Sequence, residues 1–79
     1  MKPDEKIQEE NRKIRRVRLL VDFTCSMLMQ ADMSATEMFN LVTATRSTVL
    51  AIFPGKEAVF DLIYKPRFER IIQERLKSN

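Results

Sequence analysis

From Ile14 onward apolar residues return every three or four positions, at Val17, Leu20, Val21, Cys25, Leu28 and Ala31. That is the spacing of one face of an α-helix. Leu19, Phe23, Met27 and Met29 widen the face beyond half the circumference, a pattern that places such a helix centrally in a bundle or against a second copy of itself. Ser34-Ala-Thr-Glu37 is a capping box, in which a Ser hydroxyl and a Glu carboxylate satisfy each other's orphan amide donors. It predicts that the first helix ends near Asp32 and that a second begins, with Met33 and Met38 as the flanking hydrophobic staple. Met38, Leu41, Val42, Thr45, Val49, Ile52 and Phe53 then keep the period without a phase break up to Pro54, predicting one continuous helix of about 20 residues. After Pro54-Gly55 the pattern resumes at Val59, Phe60, Leu62 and Ile63, and again at Phe68, Ile71, Ile72 and Leu76. Pro66 disfavours an α conformation at Lys65 and has no amide to donate, so the third helix is expected to be kinked or split there.

These patterns predict an all-α chain, 1–79 as a single small domain. It is a three-helix arrangement with a long first helix, a continuous second helix and a third kinked or split at Pro66. Residues 1–11, dense in charge, read as an N-terminal extension, either frayed or ordered. The 44% hydrophobic and 32% charged composition fits a folded chain rather than a disordered one. Absences narrow the chemistry. With no His and a single Cys, Cys25, a single chain has no Ser-His-Asp or Cys-His nucleophile and no Cys/His zinc site. With a single Gly, Gly55, there is no glycine-rich loop to cradle a phosphate. Neither a catalytic site, a cofactor, a metal nor a small-molecule substrate is implied. Cys25 reads as a small core hydrophobe. A lone cysteine, no apolar run long enough to span a membrane and no signal-peptide core lead to a cytoplasmic expectation, without a membrane partner.

Net charge is +3, but unevenly spread. Residues 1 to 10 carry four acids against two bases, whereas Arg12, Lys13, Arg15, Arg16 and Arg18 place five positive charges within seven residues. Such a block is either a solvated helix face, paired weakly with Glu9, Glu10 and Asp22 one turn away, or a surface for phosphates or an acidic partner.

The run from Thr45 to Phe60, with Phe53-Pro54-Gly-Lys56-Glu57 at its centre, resembles the end of the TetR-type helix-turn-helix. There a short recognition helix leads into an aromatic residue, a Pro and a Lys-Glu that opens the next helix. Extended back without a gap, the resemblance covers residues 34–60, about a third of the chain. It implies that Thr45, Arg46, Ser47 and Thr48 face bases or phosphates and that Lys56 sits at a helix start near the DNA backbone. Thr43 stands where that family carries a Gly at the turn, and Leu50 where it carries a Tyr. The two readings separate at Thr43 to Thr45, where the resemblance implies a turn and the periodicity a continuous helix. The same stretch also resembles small helical bacterial proteins without an assigned activity.

Asp22 and Asp61 each interrupt an apolar run and are expected at the edge of the buried face, paired with Arg or Lys. The five methionines read as core filler, and Tyr64 to Phe68 as a structural kink. About 35 apolar residues on three helices give wider faces than a lone chain of this size covers. The expectation is therefore a non-enzymatic helical interaction protein, a homodimer or a partner of another protein, with DNA binding through 34–60 as the alternative.

Overall fold

The computed structural model describes residues 3–77. Four helical segments follow in order: α1 (Pro3–Gln30), α2 (Ala35–Ile52), α3 (Glu57–Ile63) and α4 (Lys65–Lys77), with no strand among the described residues. Together α3 and α4 form one third helix bent by 39°, so the all-α, three-helix arrangement expected from the periodicity is the one observed. The bend lies at Tyr64–Pro66, where Pro66 occupies the first turn of α4, a position at which its missing amide is least disruptive.

The core is built from the predicted stripes. Val17, Val21, Cys25 and Leu28 of α1, Met38, Val42 and Val49 of α2, Phe60 of α3, and Phe68, Ile71 and Ile72 of α4 are all buried. Phe60 is the aromatic centre, tilted against Tyr64 at 5.6 Å and against Phe68 at 6.1 Å between ring centroids. Helix α1 packs on α2 and α4, and α3 runs on into α4 across the bend. The start of α2 is fixed as the capping box predicts: the Glu37 amide donates to Ser34 Oγ at 3.2 Å and the Ser34 amide to Glu37 Oε1 at 3.3 Å. Met38 is buried and Met33 packs against the same core.

Several expectations change. Helix α1 begins at Pro3, carrying the charged segment as helix, and ends at Gln30, close to the expected end near Asp32. Leu19, Phe23 and Met29 do not widen the buried face; they are exposed, Leu19 at 64%. Helices α2 and α4, the chief neighbours of α1, cover one side of it. Helix α2 runs through Thr43, Ala44 and Thr45 unbroken, so the turn implied there by the helix-turn-helix resemblance is absent. No glycine is present to favour a left-handed turn, and the Thr43 and Thr45 hydroxyls donate back to the Phe39 and Leu41 carbonyls within the helix. The break falls instead at Pro54-Gly55, where Gly55 adopts φ 84°, the single positive φ among the described residues.

Two contacts that sequence spacing does not reveal hold the helices together. Thr24 and Thr45, both buried, meet across α1 and α2 with their hydroxyl oxygens 2.8 Å apart. Each hydroxyl also lies 2.9 Å from the carbonyl four residues earlier, Leu20 or Leu41. Two protons are shared among three contacts, so when one threonine donates across to the other, it gives up the hydrogen bond to the carbonyl of its own helix. At the end of α1, the Arg75 guanidinium of α4 donates to the Met29 carbonyl and, at 2.7 Å, to the Ala31 carbonyl. A helix C-terminus leaves carbonyls without intrahelical donors and carries partial negative charge. Here a cation reaching across from another helix caps it in place of a glycine turn.

Candidate interaction surface

The molecule is elongated, 53 × 22 × 16 Å. The reason is α1, whose 28 residues span about 42 Å at 1.5 Å per residue. Its first buried residue is Val17. From Glu5 to Asn11 every residue of α1 is exposed, including Ile7 at 59%, so the first turns form an arm that leans on no other element. Lys13 marks the base of the arm, with its Nζ 5.9 Å from the centre of the Phe53 ring at the end of α2. The same ammonium lies 3.9 Å from Glu10 Oε1, an exposed pair of little energetic weight.

Beside the base of the arm, the chain leaves a groove of about 450 Å³ between the middle of α1 and α3. Its apolar floor and walls include Ile14, Val17, Val21, Val49, Phe53 and Val59. Arg18, Lys56 and Arg67 also line it against the single carboxylate of Asp22, so the lining charge is positive. Arg46 anchors α3 from below. Its Nε and Nη2 donate to the two carboxylate oxygens of Asp61 at 3.0 and 3.2 Å, and those hydrogen bonds hold the Asp61 carboxyl below its ordinary pKa. Cys25, buried in the core, has its thiol pushed up by burial.

The sequence-predicted contact residues therefore divide. Arg12, Arg15, Arg16 and Arg18 are exposed on α1, and Lys13 is spent on Phe53 and Glu10. Of the α2 set, Ser47 and Thr48 are exposed, the latter with its hydroxyl donating to the Ala44 carbonyl. Thr45 is turned into the core at 3% exposure, which corrects the expectation of an outward contact. Arg46 is engaged by Asp61. Lys56 stands at the start of α3 and lines the groove. Of the two interrupting carboxylates, Asp61 has its Arg partner, whereas Asp22 is exposed at the groove. The sequence did not signal the groove itself, since its lining comes from residues of all four helices that meet only in the fold.

No described helix is long and apolar enough to cross a membrane. No family model, curated protein or solved structure matches the chain.

Proposed function

We propose that the chain is a non-enzymatic helical interaction module that associates with itself. The observation that carries this reading is the amount of apolar surface left on a folded chain of 79 residues. Leu62 is 78% exposed, Leu19 64%, and Ile7, Phe23 and Ile63 59% each. Single exposed apolar residues are ordinary on any protein surface. Here they recur on α1 and α3, and a second copy seated on either helix would bury apolar area at ~25 cal/mol per Å². Sedimentation equilibrium of the full chain from nanomolar to high micromolar concentration tests the reading. A concentration-dependent dimer is expected, and a monomer throughout would overturn it.

Binding to duplex DNA is the second reading, supported by the exposed guanidinium groups of Arg12, Arg15, Arg16 and Arg18. It rests on α1 more than on α2, because Thr45 is buried in the core and Arg46 is engaged by Asp61. It predicts an affinity that falls steeply between 50 and 200 mM salt, on the order of 10³-fold for six phosphate contacts. An absence of mixed-duplex binding at about 50 mM salt removes it.

A further inference from the structure

Resting on the self-association reading, we infer that the occupant of the groove is the N-terminal arm of α1 from a second copy of this chain, and that the exchange is reciprocal. One chain carries both halves of the contact. The arm offers Ile7, Asn11 and Ile14 at three-and-four spacing on one face of α1, with Ile7 and Ile14 59% and 48% exposed. Ile14 is also a groove residue, so the arm's apolar face runs directly into the groove wall of its own chain. Two α1 helices laid antiparallel, crossing near Asn11, bring Ile7 of each beside Ile14 to Arg18 of the other. Each arm then lies between the α1 and α3 of its partner.

Charge favours this occupant. Residues 1 to 10 carry four acids and two bases, and the groove is lined by Arg18, Lys56 and Arg67 against Asp22 alone. Glu10 lies on the flank of the Ile7 face, whereas Glu5 and Glu9 share the far side of α1 with Arg12 and Arg16. Arg12 and Arg16 fall on the opposite side of α1, at ~100° per residue, and so stay out of the crossing. The arrangement has two-fold symmetry and closes, as the same patch serves both copies. Asn11 sits at its own symmetry mate, a polar position of the kind that fixes register between paired helices.

The test is sedimentation of the full chain combined with site-directed cross-linking. Ile7→Ser removes an exposed side chain, so the fold and its melting temperature at low concentration are expected to persist. The dimer should weaken about a hundredfold, because each dimer contains two Ile7 sites worth about tenfold apiece. A chain bearing Ile7→Cys mixed with one bearing Val59→Cys should give a cross-linked dimer on mild oxidation, whereas Ile7→Cys alone should not. Raising salt should weaken the dimer. A dimer that is indifferent to Ile7→Ser overturns the arm exchange and leaves self-association standing. Cross-linking of Ile7→Cys to itself shows parallel arms and also overturns it. A monomer at every concentration overturns both and assigns the groove to an occupant other than this chain.

Discussion

The two halves of α1 are built from similar material and meet opposite fates. From Val17 to Leu28 the three-and-four stripe is buried against α2 and α4, while Ile7 and Ile14, on nearly the same stripe, remain in solvent. Helix periodicity continues through both, so periodicity alone does not decide burial; the presence of a facing helix does. The docked half holds the fold together. The projecting half extends as helix from it, because propagation from an existing helix is far easier than nucleation, and it is free to meet something else.

The comparison is broken most directly by truncating one apolar residue in each half. Leu28→Ala, at a site with no solvent exposure, is expected to cost about 2–5 kcal/mol. Ile7→Ala should leave the monomer within about 0.5 kcal/mol of the parent. Urea denaturation at submicromolar concentration checks both, and an equal loss at the two sites would show that the arm is packed after all. A smaller effect is expected at the far end of the docked half: Arg75→Ala leaves the last carbonyls of α1 uncapped and should cost about 1–2 kcal/mol.

The remaining expectations concern the helix that faces the arm's groove. Gly55→Ala forces a side chain into φ 84° and should cost about 1 kcal/mol. Nothing lies within 4 Å of the added methyl, so the loss is one of backbone conformation, and Gly55→Asn should be milder than Gly55→Ala. The weakest effect is the pH dependence of the Arg46–Asp61 pair. The Asp61 pKa is depressed in the fold, so the pair's contribution is full above the unfolded carboxylate pKa and disappears as pH falls through the lower folded value. Thermal melts from pH 7 to pH 2 should therefore decline less for Asp61→Asn than for the parent. The same slope in both would show that the pair adds nothing at this exposed site.

How far the molecule is legible in its sequence varies with the range of each interaction. The capping box at Ser34 and Glu37, the α2 stripe and the bend at Pro66 all depend on residues a few positions apart, and all were readable. The width of the α1 apolar face was misread because Leu19 and Phe23 are apolar by composition, yet nothing local states how many helices arrive to cover them. Thr45 was placed outward by analogy with a motif, while its own position in the Met38, Val42, Val49 stripe put it in the core. Arg75 was silent: its target lies 44 and 46 residues back, and in the sequence it is one of several bases near the end of α4. The groove was silent too, since it is a space between helices rather than a property of either.

The Arg75 contact makes distant parts of the chain answer to one another. The short link after α1 and the final turn of α4 are fastened by one guanidinium, so they should open and close as a single cooperative unit. Cleavage of the Ala31–Ser34 link by a protease would then report the docking of α4's last turn. Trimming the chain back from Arg75 should expose a peptide bond more than forty residues upstream before it disturbs Phe60 and Phe68 at the centre.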